Sequence, residues 1–176
     1  PDLLEHNLRT VNQATEAADF LDADWIIVHP GELSNKGCSI EAMRTFLGRI
    51  ADDRIILENL PHIKGHSHFA QDTREMAEII DLASGICLDF AHAAYCKPGV
   101  DSHEIIEGFA KMKPKMFHIS DSHISAGVDE HIALGDGNLE LDYFKKVINK
   151  SKSKKVTIET PPNRRRHLEE IEFMKK

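Results

Sequence analysis

Apolar positions along this chain follow two alternating rhythms. Five short, largely apolar runs, Trp25–Val28, Ile55–Leu57, Ile86–Leu88, Met116–Ile119 and Val156–Ile158, are mostly β-branched or aromatic and are bounded by polar or turn residues. Such runs suit strands buried on both faces, as in parallel sheets. Between them the spacing widens to three or four residues: Leu8, Val11, Ala14, Ala17, Ala18 and Leu21, then Ile40, Met43, Phe46, Leu47 and Ile50, then Met76, Ile79, Ile80 and Ala83. That spacing predicts helices, with Ser39 and Asp72 as N-caps and Gly85 as a C-cap glycine. Further helices are expected over 102–112, 140–149 and 164–173. The alternation predicts βα units around a parallel sheet.

Each predicted strand carries a polar residue at or beside its end: His29, Glu58, Asp89, His118 and Glu159. The first four fall roughly 30 residues apart, and the longer last interval contains the segment Asp121–Gly137. One such residue per unit at the C-terminal end of its strand matches an α/β barrel, where the active site is assembled from several strand ends. An eight-stranded barrel typically takes about 250 residues, which five units do not supply. The expected fold is therefore the C-terminal five-eighths of a (β/α)8 barrel, an incomplete barrel of about five βα units without its first three strands. An open doubly wound sheet is the alternative; it would spread its strand ends along a line. The chain begins at Pro1, without methionine, as expected of a processed or partial product.

Composition narrows the class. The 176 residues are 41% apolar and 29% charged, with a formal net charge of −7. This is a globular mixture, unlike a disordered acidic tail or a small disulfide scaffold. The acidic balance argues against coating nucleic acid through bulk charge, although a local basic patch or bound metal could still meet DNA. The three cysteines, Cys38, Cys87 and Cys96, form no CxxC pair, which favours a reducing, cytoplasmic setting. No apolar run is long enough for a membrane span.

The chemistry lies in an ordered set: His29 in VHPGE, Glu58 in LENLP, Asp89 and His92 in LDFAHA, His118 in FHISDS, Asp129 and His131 in VDEHIALGDG, and Glu159 in IETPP. Imidazole and carboxylate groups are the usual ligands of Zn²⁺, Mn²⁺ and Fe²⁺. Singly, each has an ordinary structural explanation, a core histidine or a helix cap. Gathered together without compensation they would repel and desolvate one another, a cost that bound cations remove. Four histidines and four carboxylates exceed the needs of one ion, so bridging would allow two or three. Read as an extended segment, Asp129-Glu130-His131 points its outer two residues the same way.

These motifs resemble the xylose-isomerase-like TIM barrel superfamily, and most closely its endonuclease IV branch, the family-2 apurinic/apyrimidinic endonucleases. VHPG, LEN, DFAH, HISDS, DEHIALGDG and ETP fall in that family's order and at about its spacing, and the D-x-H followed by L-G-x-G favours the endonuclease branch. The resemblance covers nearly the whole chain as a single domain, 1–176, after the family's first three strands. It implies up to three Zn²⁺ ions, with Mn²⁺ or another divalent metal as the alternative. His29 would hold one ion with a histidine from an absent strand. Glu58 would bridge it to a second, held also by Asp89, His118 and Glu159. His92, Asp129 and His131 would hold the third.

The implied reaction is phosphodiester hydrolysis at abasic sites in DNA, with Glu58 or Glu159 steering the nucleophilic water. The alternative is a sugar isomerase or epimerase acting on a small sugar substrate, with Glu58 and Glu159 passing a proton on opposite faces. A non-enzymatic scaffold is a third class. Glu130 stands where the endonuclease branch commonly carries arginine, and a carboxylate facing DNA repels phosphate.

Other charged features read as structural. His62, His66 and His68 suggest a solvated loop beside the barrel mouth in preference to a second metal site. His123 reads as lying outside the site. His6, His103 and His167 read as helix-surface residues, and 150–155 as a solvated basic loop at the opposite end. Arg164–Arg166 could face phosphate or neutralise acidic surface. Gly135-Asp136-Gly137 reads as a tight turn.

Overall fold

The computed structural model describes residues 3–33 and 38–175; Pro1 lies outside them. Five strands, β1 (Ile26–Val28), β2 (Ile55–Glu58), β3 (Ile86–Asp89), β4 (Met116–Ile119) and β5 (Val156–Ile158), pair in sequence order, all parallel. The helices are α1 (Leu3–Leu21), α2 (Ile40–Gly48), α3 (Thr73–Ala77), α4 (Phe90–Ala94), α5 (Ser102–Lys111), α6 (Leu141–Lys150) and α7 (Arg164–Lys175). Among the described residues, no helix is long and apolar enough to cross a membrane, and the three cysteines are unbridged.

The sheet curls. In a flat five-stranded sheet the outer strands would lie about 19 Å apart, four strand spacings. Yet Lys155, just before β5, reaches Asp24, just before β1, with Nζ 2.5 Å from Oδ2. One side chain can bridge that interval only if the sheet bends round into a half-barrel. The open-sheet alternative is thereby excluded.

Alternate positions on each strand explain the largely apolar runs. Leu57, Ile86, Leu88, Phe117 and Ile119 face the helices and join one core with Phe90, Phe109 and Phe144. Phe90 stacks on Phe117 and Phe144 with ring centroids 5.6 and 4.7 Å away. Ile26 and Ile55 pack under α1 against Val11 and Ala18. The period of two then assigns Ile27, Ile56, Cys87, Met116 and Thr157 to the concave face, one step before His29, Glu58, Asp89, His118 and Glu159. Strands β2 and β3 are buried throughout, whereas outer strand β5 has Thr157 exposed.

Local signals decide where helices begin. Ser39 Oγ accepts the Ala42 amide at the start of α2, and Asp72 accepts the Arg74 and Glu75 amides at the start of α3. Asp72→Ala should cost about 1 kcal/mol, a fall of roughly 2–4 °C in a thermal melt. The helix expected across 76–83 is broken into α3 and a 3-10 turn at Ile80–Leu82, which ends at Ala83. Gly85 is therefore not a C-cap: it opens β3, where a Cβ would collide with the Lys115 side chain. Lys115 crosses that gap to place its ammonium 5.3 Å from the Trp25 ring centroid. The basic loop 150–155 lies at the same end, and Lys154 Nζ donates to the carbonyls of Ile148, Asn149 and Ser151 at the end of α6, all at 2.7 Å.

Candidate metal centre

The strand ends converge at the opposite rim. Glu58, 2% exposed, is central: its Oε2 lies 3.0 Å from His29 Nε2 and its Oε1 3.0 Å from His118 Nδ1. His118 Nδ1 also lies 3.1 Å from Glu159 Oε1. Each of Glu58, Asp89, His118 and Glu159 offers a ligand atom within 4.8 Å of the other three. His29 touches this group through Glu58 but completes neither ligand group among the described residues.

A second group forms beside the first. Asp89 accepts the His92 amide at 2.6 Å and so caps α4, a one-turn helix that lifts His92 back to the rim. The cap and the candidate ligand are thus the same carboxylate. His92 Nδ1 meets the Asn59 carbonyl at 2.8 Å, and His131 Nδ1 meets the Glu159 carbonyl at 3.1 Å. Both rings thereby turn Nε2 onto Asp129 Oδ2, at 2.9 and 2.7 Å. Orientation of a ligating imidazole through a hydrogen bond at its other nitrogen is the usual arrangement around metals.

Asp129 and His131 come from an irregular segment, not the extended one expected. His131 has φ +50°, a left-handed conformation that costs a non-glycine residue about 1 kcal/mol or more. The segment is held by Asp121, 1% exposed, which accepts the amides of Ser122, Gly135, Gly137 and Leu139 at 2.8–3.1 Å. A Cβ on Gly137 would intrude on Asp121 and the Ser122 backbone, so the turn requires glycine there. Tyr95 closes the same segment, its hydroxyl 2.6 Å from both Ser122 Oγ and the Val128 carbonyl.

Four further residues support the centre without standing out as ligands in the sequence. Asn59 grips β3, with Oδ1 accepting the Asp89 amide at 2.8 Å and Nδ2 donating to the Asp89 carbonyl at 3.0 Å. Its signal was the LEN motif itself. Asp121, Tyr95 and buried Glu170 announce themselves mainly through partners distant in sequence; Glu170 accepts from Leu134 N and Thr160 Oγ1, both at 2.9 Å.

The groups set aside fall mostly outside the centre. His123 is half exposed and contacts Glu130, whose Oε2 accepts the His123 amide at 2.6 Å. Glu130 is thus folded into its own loop. His103 pairs with Glu140 at 2.9 Å, and His62 with Gln71 at 3.2 Å. Arg166 is committed to Asp136 and the Leu134 carbonyl, and Arg165 to Glu169, which favours the structural role for that basic run.

The electrostatics fit divalent cations. Among the described residues, Asp89 Oδ2 and Asp129 Oδ1 are buried without a hydrogen-bond partner, a costly state for carboxylate oxygens. Burial lifts Asp89 to about 6 against the pull of His92. Burial opposes ionisation of Glu58 too, yet hydrogen bonds from His118 and His29 outweigh it and hold Glu58 at about 2. Burial disfavours the His118 imidazolium, but Cys87, Glu159 and Glu58 together raise it to about 12. His92, likewise desolvated, is carried to about 10 by Asp89, Asp129 and Glu58. His131, hydrogen-bonded to Asp129, rises to about 9. With no cation bound, imidazolium protons would supply the positive charge these carboxylates need.

Ions entering the site must displace those protons. Adding Zn²⁺ near neutral pH should release about one or more protons per ion, and apparent affinity should rise as pH rises. Calorimetry in buffers of differing ionisation enthalpy measures the release; heats independent of buffer would contradict it.

Comparisons with known proteins place the chain beside several relatives. A protein named "Probable endonuclease 4" from Halothermothrix orenii is 25% identical over 91% of the chain, and another of that name from Solibacter usitatus is 27% identical over 83%. The chain spans only 66% and 59% of those relatives' lengths. Among solved structures, a D-tagatose 3-epimerase-like protein superposes with a TM-score of 0.78 at 22% identity, covering 97% of this chain and 68% of that one. That likeness bears on the fold, and it agrees with an incomplete barrel. A family profile described as xylose isomerase-like TIM barrel matches residues 1–176, and the chain belongs to that family.

Proposed function

We propose that this chain, as one barrel domain, carries the centre of a metal-dependent phosphodiester hydrolase that acts at abasic sites in DNA. The observation that carries the reading is the pairing of two ligand groups, Glu58/Asp89/His118/Glu159 and His92/Asp129/His131, at one rim. A single-ion enzyme has no use for the second. The names of the curated relatives support the same reading. Divalent ions bound there would stabilise charge on phosphate and acidify water.

The chain's own residues do the rest. Glu58 and Glu159 share His118 between them and are the carboxylates best set to hold ions and orient water. Asn59 and the Glu159 carbonyl fix the rings of His92 and His131. Glu130, bonded within its own loop, does not reach outward as a free carboxylate. The expected cofactor is Zn²⁺, with Mn²⁺ the alternative, since imidazole and carboxylate suit both.

A sugar isomerase or epimerase is the second reading, favoured by one observation. Glu58 and Glu159 flank His118, which suits two carboxylates exchanging a proton on either side of a small substrate. Incubation with an abasic-site duplex in zinc or manganese separates the two. Nicking at the abasic site is the expected result. Absence of nicking, together with solvent-deuterium uptake into a ketose, would overturn the hydrolase reading in favour of the isomerase.

A further inference from the structure

A third ligand group lies away from the strand-end centre, where two rim loops cross. The loop after β1 turns at Gly31 (φ +93°) and pairs with the loop after β2. Glu32 and His68 form an antiparallel bridge, Leu33 N donates to the Ser67 carbonyl at 2.8 Å, and Phe69 N donates to the Gly31 carbonyl at 3.0 Å. The tight turn at Lys64-Gly65 (φ +90°) brings His66 back over the same spot. Glu32, His66 and His68 each present a ligand atom within 4.8 Å of the other two.

We infer that Glu32, His66 and His68 form a second, separate site for a zinc-like divalent ion that ties these two loops together. The ligand geometry supports this. His66 Nδ1 stands 3.0 Å from Glu32 Oε1, near the roughly 3.3 Å edge of a tetrahedron with zinc–ligand bonds of about 2.0–2.1 Å. The Pro61 carbonyl lies 2.9 Å from His68 Nδ1 and takes its proton, which leaves Nε2 as that ring's metal-binding nitrogen. The His66 and His68 rings are 5.3 Å apart and inclined by 33°, so neither blocks the other. Two imidazoles and one carboxylate form a three-ligand set of the kind that binds zinc and leaves a fourth position for water.

Sequence alone could not assemble this site. His66 and His68 share a segment, but Glu32 lies more than 30 residues earlier, and only the pairing of the two loops brings it over. The consequence is mechanical. His29 heads one loop and Glu58-Asn59 heads the other. An ion between them would fix the spacing of two elements that feed the main centre without joining its chemistry. The inference is independent of whether that centre hydrolyses phosphodiesters or isomerises sugars.

The test uses the exposed ligand, since His66→Gln leaves the buried core untouched. Metal-stripped protein dialysed against buffered zinc would be analysed for bound metal per chain, alongside hydrogen exchange at Leu33 and Phe69. The wild type should bind one more ion than His66→Gln, and Glu32→Gln should behave like His66→Gln. Zinc should slow exchange at Leu33 and Phe69 at least tenfold in the wild type and leave it unchanged in the variants. His118→Gln, which alters only the main centre, should keep that protection. Equal metal content in wild type and His66→Gln, or zinc protection that survives His66→Gln, would overturn the inference.

Discussion

Glu58→Gln should strip metal from the rim and lower turnover by roughly a thousandfold, the scale expected when preorganised charge stabilisation at a reacting centre is lost. The substitution keeps the shape of the side chain and removes its charge. One oxygen of Glu58 faces His29 and the other faces His118, with His92 Nδ1 only 3.5 Å from the latter. A neutral amide would present an N–H to an imidazole on one side and offer ions only one weak oxygen. Both hydrolysis and isomerisation should fall, because each reading assigns Glu58 to the ions or to the proton. Metal analysis and activity measured together check this. A variant that kept its metal complement and remained within tenfold of wild-type activity would remove Glu58 from the centre.

The largest stability effect should come from Asp121→Ala. Four backbone amides would lose one buried acceptor, and each stranded donor costs about 1–3 kcal/mol, though not additively. A total near 3 kcal/mol corresponds to a melting temperature lower by roughly 6–12 °C for a chain of this size. The effect should spread to the metal centre, because the same segment carries Asp129 and His131. Metal content should fall by the ion assigned to His92, Asp129 and His131, while the group around Glu58 keeps its own. Asp121→Asn, which retains one accepting oxygen, should recover part of both losses. A melt within 2 °C of wild type would mean that the segment holds its shape without Asp121.

The sequence made the sheet and its ligands legible for a physical reason. In a parallel sheet both faces of a strand are covered, so apolar runs mark strands directly, and β4 and β5 match the expected spans Met116–Ile119 and Val156–Ile158. A polar residue at or beside the end of such a run stands out, which makes His29, Glu58, Asp89, His118 and Glu159 identifiable. The irregular parts were harder to read. Asp129 and His131 are legible by residue type, but the irregular segment that carries them, with His131 left-handed, depends on Asp121 partners up to 18 residues away. The break between α3 and the following 3-10 turn leaves no mark in a three-to-four residue apolar spacing. Glu32 carries no such mark, because its histidine partners belong to the next βα unit.

The position of Trp25 bears on how this protein can be studied. It is the chain's sole tryptophan, seated where the strands enter, with the Lys115 ammonium over its ring and its indole N–H buried without a partner among the described residues. Indole emission from this protein should therefore register cooperative collapse of the sheet floor and the departure of the ammonium, with a clear shift on denaturation. Cations loaded at the far ends of the strands should leave the spectrum almost unchanged. Fluorescence titrations of occupancy would call for a second reporter grafted onto the mouth, while the native fluorophore serves as a built-in thermometer for the scaffold.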